Sequence, residues 1–389
     1  MAGNGMILQN DFTRQWEAVE ERVLGAVRRV GASGRYILGR EVEAFEAALA
    51  EFWGLGHAVG TGNGLDALEI GLRCLGLEPG EKVLTTPLSA FATTLAIIRA
   101  GGVPVFVDVD DFGAIDLRQC GDLLERDRSI RFLVPVHLYG LPLPMEELAR
   151  LKKDFRLRVL EDCAQSIGAA AGGLRTGTVG DAATTSFYPT KNLGALGDAG
   201  ALLTDDATIA AKARALRNYG QSAHYVHSGL GLNSRLDELH AAVLRDAFLP
   251  SLASWTAARC RTAERYLAAI DNPSVLPLVP EPGMEPAWHL FPVLVQEGLR
   301  DQIQTHFSSR GITTGIHYPR LICDQEALAG QSWQSAADPV NARRFAACEL
   351  SLPIHPFLAD QEVDAVIAAC NSADFPSPGK AAPSRRAGK

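Results

Sequence analysis

Lys191 stands in SFYPTKNLGALGDAG, residues 186–200, between an aromatic approach and a run of glycines. An ammonium is strongly hydrated, so beside Phe187, Tyr188, Leu193 and Leu196 it must reach water, pair with an acid or shed its charge. A solvated loop lysine meets the first condition, and most lysines are exposed. The chemical alternative is an amine bound covalently as an imine, which needs a depressed pKa and a carbonyl partner.

Two other stretches bear on that choice. In TGNGLDALEIGL (61–72) small residues end a strand and open an amphipathic helix. Free amides at Gly64, Leu65 and Asp66, with the positive end of the helix dipole, suit a phosphate. The same residues read as a tight turn capped by Asp66, or as a GxGxxA dinucleotide fingerprint. The dinucleotide reading lacks its acid, because Thr85, Thr86 and Pro87 stand about 20 residues on, where Asp or Glu is needed. In LEDCAQSIGA (160–169), Asp162 closes an apolar strand and Gln165 follows it. Asp162 reads either as a structural acid holding the next turn or as a carboxylate that keeps a pyridine nitrogen protonated. Phosphate turn, ring-nitrogen acid and imine lysine, in that order, are what pyridoxal phosphate requires.

These groups must be positioned by a scaffold, and its grammar is visible. HAVGT (57–61), a helix near 65–76, KVLTT (82–86), a helix near 91–100 and VPVFVD (103–108) alternate as βαβ units. IRFLVPVH (130–137), a helix near 145–154 and LRVLED (157–162) continue the pattern. The fold class is therefore α/β, a mostly parallel sheet covered by helices, with ligands at the strands' carboxyl ends near Asp108, His137 and Asp162. After residue 250 come a long helix near 251–270, the Pro-rich VLPLVPEPGMEP (276–286) and a strand in WHLFPVLV (288–295). We read a large domain over 1–250, a smaller C-terminal α+β domain over 251–374 and a disordered tail over 375–389.

A chain of 389 residues with 47% hydrophobic content builds more than one ordinary core. A net charge of −8 argues against a nucleic-acid surface. Seven cysteines without a CxxC pair indicate reduced thiols in a cytoplasm and no metal site. No apolar run reaches the roughly 18 residues of a membrane span.

TGNGLDAL, PVFVDVD, VPVHLYGLP, LEDCAQSIGA, SFYPTKNLGALGDAG, LRNYG and GLNSRLDELHAAVL resemble, in order and spacing, the DegT/DnrJ/EryC1/StrS sugar aminotransferases. The resemblance spans roughly residues 12 to 370. It implies the pyridoxal-phosphate-dependent transferase fold type I, similar to aspartate aminotransferase, with active sites shared across a homodimer. It implies that Lys191 holds pyridoxal 5′-phosphate, that Asp162 meets the pyridine nitrogen and that Gln165 meets the ring hydroxyl. Ser186 and the amides of Leu65 and Asp66 would bind the phosphate. Asn233 would reach that phosphate from the neighbouring subunit, with Arg235 close by. The implied reaction takes an amino group from L-glutamate, carries it on pyridoxamine phosphate and delivers it to a nucleotide-linked keto-sugar.

VPVHLYGLP, AWHLFPVLV, GIHYPRL and LSLPIHPFL resemble the 3-amino-sugar branch most closely, which implies a 3-keto-6-deoxyhexose acceptor, with a 4-keto acceptor as the alternative. His317 and Tyr318 then either contact substrate or pack between domains. Four positions depart from the pattern, one of them His240, which stands where glutamine is usual after RLDEL. In LSAFATT (88–94) the ring-stacking aromatic is Phe91 only if the register slips by one, and otherwise Ala90 takes its place. Thr190 precedes the lysine where glycine is frequent. Ile167 replaces a frequent histidine, which predicts a change on the substrate side of the pocket. A nicotinamide oxidoreductase would leave SFYPTKN unexplained, and a catalytically silent relative would not need Lys191, Asp162 and Ser186 together. The dehydratase branch typically carries histidine at the lysine position.

Overall fold

The computed structural model describes residues 5–373, and the tail read over 375–389 lies outside them. An eight-stranded sheet runs in the order His57–Thr61, Gly200–Thr204, Ala182–Ser186, Arg158–Asp162, Phe132–Leu133, Lys82–Thr85, Val103–Phe106, Gln334–Ser335. Gly200–Thr204 is antiparallel to both its neighbours, and the other pairings are parallel. Strand interiors such as Val83, Leu84, Val159, Leu160, Ala201 and Leu202 are buried, as a sheet covered on both faces requires.

The expected βαβ units are present, with the helices Gly64–Cys74, Phe91–Arg99 and Met145–Phe155. The run 130–137 is shorter as a strand than its sequence suggests. Only Phe132–Leu133 pairs regularly, and Val136 returns as an isolated bridge to Asp162. Two long helices precede the sheet. Phe12–Ser33 begins at Asp11, whose side chain accepts from the amides of Thr13 and Arg14, and stops at Gly34 with φ 64°. It buries Val19, Val23, Ala26 and Val30 against the helical run through Glu238–Val243 and Leu244–Phe248, in an apolar cluster that also takes in Val42, Phe45 and Leu49 of Arg40–Trp53.

Around the helix Leu249–Ala269 the architecture changes to an antiparallel three-stranded sheet of Val275–Pro277, Phe291–Val295 and Glu349–Leu352. Its core also takes in Ile7, Val109, Val136, Leu138 and Tyr139 from early in the chain. Ile7 bridges to Ile312, and Gln334–Ser335 extends the large sheet beside Val105–Phe106. Among the described residues no helix is long and apolar enough to cross a membrane.

Candidate functional site

Gly200 lies between two site strands, pairing with Thr61 on one side and Ser186 on the other. The turn after Thr61 folds over it: a Cβ at Gly200 would fall 2.4 Å from the carbonyl carbon of Asn63. A Cβ at Gly64 would fall 2.8 Å from Ser186 Cβ. Only glycine at both places lets the helix start settle against Ser186. Asn63, not Asp66, caps that helix, its Oδ1 accepting from Asp66 N at 2.8 Å. The Asp66 amide is thereby occupied, a correction to the three-amide phosphate turn read from sequence. The amides of Gly64 and Leu65 have no partner among the described residues. Ser186 Oγ accepts from Tyr188 N at 3.2 Å and keeps its own proton to donate. Two open amides, the Ser186 hydroxyl and the N-terminus of an 11-residue helix thus lie side by side, a donor set that suits an anion.

Asp162, at the carboxyl end of its strand, is 4% exposed. Thr93 Oγ1 donates to its Oδ2 at 2.8 Å, and Ala164 N donates to its Oδ1 at 3.1 Å. Burial pushes its carboxyl up despite these donors and the charge of Lys191. An acid so placed gains from a positively charged N–H donor. Lys191 follows a tight turn in which its backbone N–H donates to Tyr188 O at 2.8 Å. Its amine makes no hydrogen bond among the described residues. Burial pulls its pKa down to about 8, with Asp162 working in the opposite direction.

Gln165, 6% exposed, accepts from Tyr139 N through Oε1 at 2.6 Å and donates through Nε2 to Tyr318 Oη at 3.3 Å. One amide proton of Gln165 remains. Tyr139 has φ 62° and donates its hydroxyl to His317 O at 2.7 Å, which ties the 315–321 segment to the sheet end. At Gly140, φ 87°, a Cβ would meet His289 N at 2.7 Å and Gln165 O at 2.9 Å. This left-handed pair is therefore fixed by close backbone packing.

Phe91 opens its helix and is partly buried against Phe106, Ile322 and Leu328. Asn233 is exposed, and its side chain has no partner among the described residues. Arg235 donates to Asn218 Oδ1 at 3.0 Å and stacks over Tyr219 at 5.3 Å. Ile167, expected on the substrate side, is instead 4% exposed within the apolar cluster of Phe45, Phe187 and Leu193. Sequence reasoning missed Thr93, although LSAFATT contains it, and missed Tyr139 within VPVHLYGLP.

Behind Asp162, His137 and Glu161 are fully buried, with His137 Nε2 and Glu161 Oε2 2.9 Å apart. His137 Nδ1 accepts from Leu143 N, so Nε2 carries the proton. Glu161 also accepts from the amides of Gly177, Val179 and Gly180. Its lone pairs are spent on protein donors, so its closeness to Cys163 makes no metal seat. A cavity of about 640 Å³ lined by Lys152, Lys153, Arg156 and Arg158 opens at the other end of the Asp162 strand and shares none of the site residues.

The model of the DegT/DnrJ/EryC1/StrS aminotransferase family matches residues 17–371. The chain belongs to this family. A dTDP-3-amino-3,4,6-trideoxy-alpha-D-glucose transaminase of Streptomyces venezuelae is 40% identical, over 90% of this chain and 91% of that protein. A dTDP-3-amino-3,6-dideoxy-alpha-D-galactopyranose transaminase of Aneurinibacillus thermoaerophilus is 39% identical, over 90% of this chain and 95% of that one. Among solved structures, S. venezuelae DesV in complex with a ketimine intermediate superposes with a TM-score of 0.87 at 40% identity, covering 94% and 97% of the two chains. This DegT-family chain is thus a sugar aminotransferase of fold type I that depends on pyridoxal phosphate. The open amides beside Ser186, the buried acid and the lysine with a lowered pKa fit that cofactor.

Proposed function

We propose that the protein transfers the amino group of L-glutamate to C3 of a nucleotide-linked 3-keto-6-deoxyhexose. The observation that carries the chemistry is Lys191, an amine with its pKa lowered to about 8 that makes no hydrogen bond among the described residues and lies within the field of Asp162. When bound, pyridoxal phosphate supplies an electron sink for the pair left by a C–H bond next to the amine nitrogen. Lys191 Nζ, its pKa lowered to about 8, would be the base that takes the proton from the donor's α-carbon and the acid that gives it back, in each half of the reaction. Asp162 would hold a proton on the pyridine nitrogen, and Gln165 would offer its remaining amide proton to the ring hydroxyl. The open amides of Gly64 and Leu65 and the hydroxyl of Ser186 would hold the phosphate.

Asn233, exposed and with no side-chain partner among the described residues, serves the phosphate of a second copy in a homodimer, and Arg235 lies beside that shared cleft. Phe12 and Leu196, 46% and 53% exposed, line an apolar groove next to the Lys191 turn, which suits burial by that copy. The division at residue 250 belongs to the same reading, as does a cytoplasmic location for a chain whose seven cysteines are all free.

The C3 assignment is supported by the names of the two relatives above, both 3-amino-sugar transaminases. His317 and Tyr318 face the sugar in this reading, and Gln165 links Tyr318 to the cofactor side. The test incubates the protein with glutamate and separate 3-keto and 4-keto nucleotide sugars and locates the new amine by NMR. Amination at C3 is expected. Efficient amination at C4 alone overturns the regiochemistry and favours the 4-keto alternative.

A further inference from the structure

Glu349 and Ser351, which the chemistry above does not use, join His317 in a hydrogen-bonded line. Glu349 Oε2 accepts from His317 N at 2.6 Å, Glu349 Oε1 lies 2.5 Å from Ser351 Oγ, and Ser351 Oγ lies 2.9 Å from His317 Nδ1. Glu349 and Ser351 are two residues apart on one strand and so share a face. Ser351 and Gly315 exchange both backbone bonds, at 3.0 and 2.8 Å, which brings His317 back over that face. A Cβ at Gly315 would fall 2.7 Å from His317 Cε1, so glycine there leaves room for the ring.

The line has two proton arrangements. Glu349 and Ser351 are both 0% exposed. Burial pushes the Glu349 carboxyl up to about 8, and Arg300 is the cation that opposes this. The Arg300 guanidinium donates to Ala346 O. Burial and the charge of Lys191 pull the His317 ring down to about 4, and His289, itself held neutral, faces the same group. Tyr139 and Tyr318, the other titratable groups here, have phenols pushed upward by burial. Both directions favour the uncharged forms of Glu349 and His317 near neutral pH.

With Oε2 taken by the His317 amide, the Glu349 proton sits on Oε1 and points at Ser351 Oγ. Ser351 must then donate to His317 Nδ1, which leaves the ring proton on Nε2. His317 Nε2 makes no hydrogen bond among the described residues and is not among the buried polar atoms lacking a partner. When Glu349 ionises, the order reverses: Ser351 donates to Glu349, Nδ1–H donates to Ser351, and Nε2 becomes an acceptor.

We propose that the Glu349–Ser351–His317 line sets the tautomer of His317, making its Nε2–H a donor for a proton-free oxygen of the sugar substrate, a carbonyl or phosphate oxygen. This rests on the sugar-aminotransferase reading for its ligand, but not for the tautomer.

The test uses cofactor-loaded protein with ¹⁵N-labelled histidine, the His317 resonances being assigned by their loss in His317→Asn. Long-range ¹H–¹⁵N spectra should show the proton on Nε2 at pH 7, moving to Nδ1 as pH rises through about 8. Glu349→Gln, whose amide stays neutral and donates to Ser351, should hold Nε2–H across that range. Ser351→Ala should abolish the dependence on Glu349. With nucleotide sugar, wild-type KM should rise about tenfold from pH 7 to 9, the value of roughly one hydrogen bond, and stay flat in Glu349→Gln. His317→Gln, which keeps a donor near Nε2, should retain more sugar affinity than His317→Asn, whose donor mimics Nδ1. A proton on Nδ1 at pH 7, a tautomer indifferent to Glu349, or an unchanged sugar KM in His317→Asn overturns the proposal. The spectra need no substrate, so failure to aminate any nucleotide sugar would strike the proposed function and leave the tautomer result standing.

Discussion

Thr93 Oγ1 donates to Asp162 Oδ2 across 2.8 Å, joining the first turn of the helix Phe91–Arg99 to the carboxyl end of the strand Arg158–Asp162. The hydroxyl opposes the burial that pushes the Asp162 carboxyl up. Thr93→Val keeps the shape of a residue only 1% exposed and removes this donor. A hydrogen bond to a charged group contributes roughly 1.5–3 kcal/mol, so kcat/KM should fall about ten- to a hundredfold, and the acid limb of its pH profile should move upward. Asp162→Asn should lose most activity while retaining cofactor, as read from the bound chromophore. An unshifted acid limb in Thr93→Val would separate Thr93 from the ionisation of Asp162.

Lys191→Ala should abolish transamination while the melting temperature stays within a few degrees of wild type. The amine makes no hydrogen bond among the described residues, and its burial as a cation is unfavourable, so truncation removes chemistry and no structural bond. Turnover by NMR and thermal unfolding, measured on one preparation, check both halves. Near-normal turnover would reassign the proton shuttle.

Asn233→Ala should weaken cofactor retention without destabilising the isolated fold, because its side chain is exposed and has no partner among the described residues. Mixing Lys191→Ala with Asn233→Ala subunits should restore one intact site per mixed dimer. Verified subunit exchange with no recovered activity would show that Asn233 acts within its own chain.

Glu349 gives a stability prediction independent of catalysis. Its folded pKa, about 8, lies above the ordinary 4.5, so the folded state binds the extra proton. The stabilisation is complete below about pH 4.5 and is lost as pH rises through 8. Glu349→Gln stays neutral and should flatten that slope. Its melting temperature should match wild type near pH 4.5 and exceed it by several degrees at pH 9. Equal slopes in the two proteins would mean that Glu349 is ionised throughout.

The residues with chemistry were legible in the sequence because their types are forced. A lysine among Phe187, Leu193 and the glycines needs a reason to be there, Asp162 ends an apolar run, and the βαβ alternation places both at strand ends. The phosphate turn was legible as a class of turn, but its cap was not. Asn63 or Asp66 could serve by type, and the backbone geometry of the turn chose Asn63, leaving two open amides where spacing suggests three.

What only the tertiary structure decided depends on contacts between residues far apart in the chain. Thr93 lies 69 positions from Asp162, and Tyr139 lies 178 from His317. Ile167 looks from sequence like a pocket residue, yet it is buried in the apolar cluster that holds Phe45, Phe187 and Leu193. Glu349 and Ser351 read as ordinary members of a short strand. Their proton becomes consequential only because the Gly315–Ser351 bridge carries His317 onto the face where Glu349 and Ser351 are fully buried. Local periodicity fixes which side of a strand a residue takes. Which distant side chain meets it there follows from packing the whole chain.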